Sequence, residues 1–452
     1  MARIVCITSG LTGILYASFE LVARLEAAGH EVIYACPKEV GEKVQAQGFE
    51  YVQLPVVNYF PEPELPVFKG NLQKFRRLCY KWRNKKSRQK MAIASLRMDE
   101  FESVIENLNP DLWILDVELH EHIMTLVAKK KQILLLSQWF SLWHRKGLPP
   151  LLEDTIPDEK WAGSSMGLAW TWWKIKCQRW WIFWKKKIRS GRTNRRSVLQ
   201  KYAQKIGFPK RYILENFWPG PFVYGELPVM NMTALELEFP HDIRPNSFYV
   251  GSMVFENRVD IQTNVVVEKR LNAIFKIKKE TGKSLIYCSV STYRKGDKAF
   301  LKKITEAVQN RKDWLLILGL GGMLGTDFLQ PLPKNVHAFG WIPQLKVLSE
   351  ADLSINHGGI HTINECVHFG VTMLVYSGKK SDQNGCAARI HFHKIGLMAD
   401  KDLDDAGTIE KKIDLVLSNE TYRENVEEMQ AVFKNYKKEN QLIEIVNQFL
   451  ND

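Results

Sequence analysis

Short apolar, β-branched runs recur along the chain, each followed by a turn and then by a stretch with apolar residues at helical spacing. Residues 3–8 form the first such run, residues 9–13 a Gly-containing turn, and residues 16–28 the first helical stretch, which Gly29-His30 stops before the next run at 31–35. This order predicts a βαβ unit. The pattern returns with a helix over 98–108, a turn at Asn109-Pro110-Asp111, a buried strand over 112–115 ending at Asp116, and another strand over 133–136. Alternating strands and helices predict a parallel sheet covered on both faces, with ligands bound beyond the carboxyl ends of the strands.

Both periodicities lapse over 216–246, where Trp218-Pro219-Gly220-Pro221, Leu227-Pro228, Phe239-Pro240 and Arg244-Pro245 cluster, and an interdomain linker is expected there. Alternation resumes with strands over 284–288, 315–318, 336–339, 353–356 and 373–376, so a second sheet of the same kind is expected. The predicted fold is α/β, two doubly wound parallel sheets. Residues 1–215 form the first domain, 247–430 the second, and 431–452 a terminal helix packing back on the first.

With 452 residues the chain is long enough for two to three domains, and 45% hydrophobic against 25% charged residues excludes a disordered chain. Seven Cys without a CxxC pair suggest neither a disulfide framework nor a zinc site, and predict a reducing, cytoplasmic compartment. The chain enters its first strand directly after Met1-Ala2-Arg3, so no export leader is expected. No run of about 18 apolar residues lacks charge, so no spanning helix is expected either.

The net charge of +13 is local. Residues 65–98 hold eleven Lys/Arg and no acid, and residues 161–214 hold fourteen and no acid; without those twenty-five, 38 basic residues face 50 acidic ones. The second segment also carries seven of the fourteen Trp, a mixture suited to a bilayer's headgroup region. On a helix, Trp170, Trp173, Cys177, Trp180, Trp181 and Trp184 share one stripe, while Trp172, Ile175, Ile182 and Phe183 lie off it. The stripe fits peripheral membrane contact, and the off-stripe residues fit a buried or pocket-lining helix. A nucleic-acid role ranks below both, because no recognised nucleic-acid module accompanies the basic residues.

The chemistry concentrates in Gly340-Trp341-Ile342-Pro343-Gln344, then 353–365 with His357-Gly358-Gly359-Ile360-His361-Thr362 and Glu365, then Ser381-Asp382-Gln383. A strand runs into a Gly-Gly turn and opens a helix, whose free N–H groups and dipole favour phosphate, with His357 and Thr362 as further donors. Glu365 lies one turn in, where a carboxylate meets ribose hydroxyls, and Trp341 offers a flat face to a base. Taken singly, each residue fits a turn, core or solvated helix face better than a ligand site. Together they read as a site for a nucleoside diphosphate.

This stretch resembles the signature of the UDP-glycosyltransferase family, W-x-P-Q followed by H-x-G-x-x-S/T-x-x-E, G-V-P and D/E-Q. The resemblance extends to Val250-Gly251, Tyr287-Cys288-Ser289 and Gly29-His30-Glu31-Val32. It implies the GT-B fold, two Rossmann-like domains facing a cleft, with donor in the second and acceptor in the first, and metal-independent, inverting transfer needing no cofactor beyond the UDP-sugar. It would give Trp341 the uracil, Gln344 the base or ribose, Glu365 the ribose, His357, Gly359 and Thr362 the diphosphate, and Asp382 and Gln383 the sugar hydroxyls, with Thr292 also at the donor. Residues 382–390 also resemble bacterial zeaxanthin glucosyltransferases, whose acceptors are lipophilic, so an apolar acceptor is expected as partner, with glucose favoured as the sugar.

The family places a Gly-His after the first strand, its His taking the acceptor proton, whereas this chain has Gly13-Ile14. Asp116 stands at the matching Asp position, followed by Glu118, His120 and His122, so Asp116 is a candidate base, His120 or His122 a second, and a base elsewhere, or none, a third. Thr372 replaces a Pro, Ser291 a Gly and His361 a common Asn, and Glu20 is a further acceptor-side group without a pattern behind it. The loss of the usual base also admits a catalytically weak accessory subunit that binds nucleotide sugar and assists a partner.

Overall fold

Buried on both faces, the apolar runs become strands that are nearly solid with Ile, Leu and Val, as parallel sheets require. The computed structural model describes residues 1–57, 65–214, 220, 222–260, 265–289, 297–322 and 324–451. Strands β1 (Arg3–Ile7), β2 (Glu31–Cys36), β3 (Tyr51–Gln53), β4 (Leu112–Asp116) and β5 (Ile133–Ser137) belong to the first sheet. A small antiparallel pair, β6 (Ile213–Leu214) and β7 (Val223–Tyr224), follows, and then β8 (Val229–Asn231) and β9 (Ser247–Tyr249). The first sheet is parallel in the order β3-β2-β1-β4-β5-β8-β9.

The second sheet holds β10 (Ser284–Ser289), β11 (Trp314–Gly319), β12 (Val336–Phe339), β13 (Leu353–Asn356), β14 (Thr372–Tyr376) and β15 (Gly396–Ala399). It is parallel in the order β12-β11-β10-β13-β14-β15. Strand order therefore reverses between β1 and β4 and again between β10 and β13, the two places where doubly wound sheets open a ligand crevice.

One boundary needs correction. The stretch 216–246, expected as a linker, supplies β8, and β9 follows it directly, so the first sheet continues to Tyr249 and the chain crosses to the second after that. Strands of three residues are too short to display a period, which is why Pro and Gly dominate that stretch's appearance. Residues 215–219 and 221 of it lie outside the described residues. The helix Gln441–Asn451 buries Leu442 and Val446 in a cluster with Ile4, Cys6, Leu112 and Leu134 of the first sheet. Among the described residues no helix is long and apolar enough to cross a membrane.

The two basic segments, some sixty residues apart in sequence, meet in one helical layer. Helix Gln73–Arg83 packs on Ser165–Ser190, and Lys85–Ala94 on Arg195–Lys205. Trp82 Nε1 donates to the carbonyl of Ile188 at 3.0 Å and Arg88 Nη1 to that of Ser190 at 3.0 Å. Along Ser165–Ser190, Trp172 and Ile175 are buried, while Trp170, Trp173, Trp180 and Trp181 each expose more than half their surface. The aromatic stripe faces outward.

Candidate active site

Strand β13 is buried along its length and ends at Asn356, whose Oδ1 accepts the Gly358 N–H at 2.9 Å. Gly358 has φ +81°, and a Cβ there would approach the Gln383 carbonyl to 2.9 Å and Val375 Cγ1 to 3.0 Å, so the turn accepts only glycine. Gly359 caps the helix Ile360–Phe369, and the ring of His357 lies over it, with Nε2 3.0 Å from where a Cβ would stand. Thr362, half-buried, stands in the first turn of that helix.

One turn further on, Glu365 is mostly buried and accepts from Gln344 Nε2 and, at 3.3 Å, from the Arg258 guanidinium. Gln344 Oε1 in turn accepts from the Tyr287 hydroxyl at 3.3 Å. Trp341 is half-buried, not sealed in a core, and its Nε1 donates to Asp260 Oδ1 at 2.7 Å. With Arg270, Thr326, Gln330 and Phe339 it lines a cleft of about 400 Å³. The fold thus brings Trp341, Gln344, His357, Gly359, Thr362 and Glu365 together near the carboxyl ends of β12 and β13. Sequence reasoning missed Arg258 and Asp260, which reach this set from a segment without a periodic pattern.

Asp382 stands differently from expectation. Asp382 is turned inward, its Oδ2 facing the N–H of Ile360 and the thiol of Cys386, each at 3.4 Å, so its carboxylate serves the helix N-terminus and does not open toward sugar hydroxyls. Burial pushes its pKa up to about 6. Gln383 begins the next helix, and its buried Oε1 has no hydrogen-bond partner among the described residues. Thr292 and Ser291 lie outside the described residues.

On the first domain, the expected bases are withdrawn from solvent. Asp116 has no exposed surface and accepts backbone N–H groups from Ser9 at 3.3 Å and Glu118 at 3.0 Å, and burial raises its pKa. His120 is packed 4.8 Å from Phe222, with Nδ1 2.9 Å from the Tyr224 hydroxyl, and burial together with Arg195 lowers its pKa to about 3. His122 is buried edge-on to Phe101. The helix His120–Ala128 is buried on most sides, so its His residues are core groups, not bases. Ile14 is likewise fully buried. Glu20 is a clasp, not an acceptor group: it pairs with Arg24 at 2.7 Å and with Lys437 of a C-terminal helix at 3.2 Å. Glu118 is half-buried, and burial plus the Asp116 charge push its pKa up to about 7.

Comparison with known proteins matches residues 317–448 to the family described as "Erythromycin biosynthesis protein CIII-like, C-terminal domain". The uncharacterized UDP-glucosyltransferase YdhE of Bacillus subtilis is 26% identical over 178 residues, covering 39% of this chain and 44% of its own length. Zeaxanthin glucosyltransferase of Pantoea ananas is 21% identical over 239 residues, covering 52% and 51%. Demethyllactenocin mycarosyltransferase of Streptomyces fradiae is 36% identical over 95 residues, covering 21% and 20%. The chain spans less than half the length of the first curated relatives it matches. Among solved structures, the glycotransferase of kitacinnamycin aligns over 99% of both chains with a TM-score of 0.68 at 17% identity. The calicheamicin glycosyltransferase CalG4 aligns over 100% of this chain and 98% of its own, with a TM-score of 0.67 at 17% identity.

The chain has the GT-B fold, and its residues 317–448 match the EryCIII-like C-terminal domain.

The two halves of the chain meet through polar contacts. Gly385 N donates to the Leu151 carbonyl at 3.0 Å, and Asn384 Nδ2 to that of Leu152 at 3.1 Å. Fully buried Arg389 pairs with fully buried Glu238, whose other oxygen accepts the Ser141 N–H at 2.8 Å, and Phe140 and Phe239 cover the guanidinium. His361, in the first turn of the Ile360 helix, reaches Gln138 just past β5, with Nε2 2.7 Å from Oε1. Sequence reasoning marked His361 only as a departure from the family and missed Gln138, since a contact between domains leaves no periodic trace.

Proposed function

We propose that the chain transfers a hexose, glucose foremost, from a UDP-sugar to a hydroxyl or carboxyl of a lipophilic acceptor, without a metal and with inversion at the anomeric carbon, at a membrane surface. The observation that carries the reading is the joint placement of Trp341, Gln344 and Glu365 beside the Gly358-Gly359 turn. In this reading Trp341 stacks on uracil, Gln344 and Glu365 take the base edge and ribose hydroxyls, and the N–H groups at the start of the Ile360 helix, with His357, take the diphosphate. Donors aimed at the leaving group stabilise the charge that develops on it, the service a divalent cation gives in other transferases. Gln383 Oε1, buried and without a described partner, is an acceptor that a sugar hydroxyl would satisfy.

The lipophilic acceptor and the membrane are supported by the exposed Trp stripe on Ser165–Ser190 and the cations around it. The buried side of the same helix adjoins the domain contact: Trp172 Nε1 donates to the Leu148 carbonyl at 2.8 Å, shortly before Leu151. The test is incubation of the purified chain with UDP-glucose and apolar alcohols in the presence of chelator. Release of UDP and a glucosylated alcohol is expected; absence of UDP release across nucleotide sugars and acceptors would overturn the proposal.

A further inference from the structure

We propose that the imidazole of His361, carried by the donor-binding domain, takes the acceptor's proton. The inference rests on the transferase reading and deepens it by supplying an imidazole in place of the one that the resemblance puts where this chain has Ile14. Ile14, at the position where the family resemblance puts an imidazole, is fully buried, as are Asp116, His120 and His122. His361, from the second domain, brings a ring against Gly13, the neighbour of Ile14. A Cβ on Gly13 would lie 2.3 Å from its Cδ2 and 3.0 Å from its Nε2, so the ring rests on Gly13 because glycine leaves the space.

The hydrogen bond to Gln138 sets the tautomer. A carboxamide oxygen only accepts, so His361 Nε2 carries the hydrogen and Nδ1 the lone pair; Nδ1 has no hydrogen bond among the described residues. The ring is half-buried, and burial lowers its pKa to about 4, so it is neutral at pH 7 with the Nδ1 lone pair unprotonated. Its helix turn is also the one whose N–H groups would hold the diphosphate, so the lone pair and the leaving group are placed by one rigid element.

The step balances. The acceptor O–H gives its proton to Nδ1 as its oxygen bonds to the anomeric carbon. The bond from that carbon to the diphosphate oxygen breaks, and its electron pair leaves with UDP. The imidazolium then releases the proton to water.

The test compares the full-length chain with His361→Asn and Gly13→Ala, following UDP release with an aliphatic alcohol and with phenols of graded acidity, alongside calorimetric binding of UDP. His361→Asn is expected to lose roughly 100-fold or more with the alcohol. The deficit should shrink as the phenol becomes more acidic, because an ionised acceptor needs no base, while UDP affinity stays at the parental value. Gly13→Ala, which forces the ring aside, should show the same acceptor-dependent loss. Equal losses with every acceptor, or parental rates with all of them, would overturn the inference and leave the transferase reading standing. A parental chain that releases no UDP with any acceptor would overturn both.

Discussion

Asp382 stands beside the Ile360 N–H and the Cys386 thiol, with a pKa raised from 3.8 to about 6 by burial. Because the folded state binds this proton more tightly than the unfolded one, stability falls as pH rises from about 4 to about 6, and the full penalty persists above that. Asp382→Asn should therefore be more stable than the parent at pH 7 to 8, by roughly 2–3 kcal/mol, with the advantage gone below about pH 4. Urea denaturation across that range measures it. Trp341, Gln344 and Glu365 were readable in the sequence because they follow two successive buried strands, β12 and β13, at the spacing of the motif. The inward turn of Asp382 and the sealing of His120 were not, since both depend on which side of a helix the rest of the fold covers.

The helix Ser165–Ser190 has one buried and one exposed aromatic face. Its sequence displays the Trp stripe but does not say which side packs; the structure buries Trp172 and Ile175 and leaves the stripe in solvent. Replacing Trp170, Trp173, Trp180 and Trp181 together by Ser should weaken sedimentation with anionic vesicles at least tenfold, while unfolding free energy changes by no more than about 0.5 kcal/mol per site. Trp172→Ala should do the reverse, costing about 3–5 kcal/mol in chemical denaturation through a cavity and an orphaned Leu148 carbonyl. Unchanged vesicle binding in the quadruple variant would remove the membrane from the account.

At the scale of the whole molecule, both sheets were legible wherever a buried strand alternated with a helix, and illegible at β8 and β9, where three residues extend the first sheet through Pro- and Gly-rich sequence. Helices from the second domain close on the first around Arg389 and Glu238, a pair without solvent access and with no signature along the chain. Arg389→Ala leaves the Glu238 carboxylate buried with backbone donors only and should cost about 3–5 kcal/mol in chemical denaturation. The arrangement of the halves matters because it sets His361, on the helix that follows the turn after β13, against Gly13 and Gln138 of the first domain. All of this depends on the turn after β13 holding a uridine nucleotide. Calorimetric titration of the intact chain with UDP in chelator tests that directly. Saturable binding, weakened roughly tenfold by Trp341→Ala and further by Glu365→Ala, is the expected result; no heat of binding, or equal binding by parent and both variants, would contradict it.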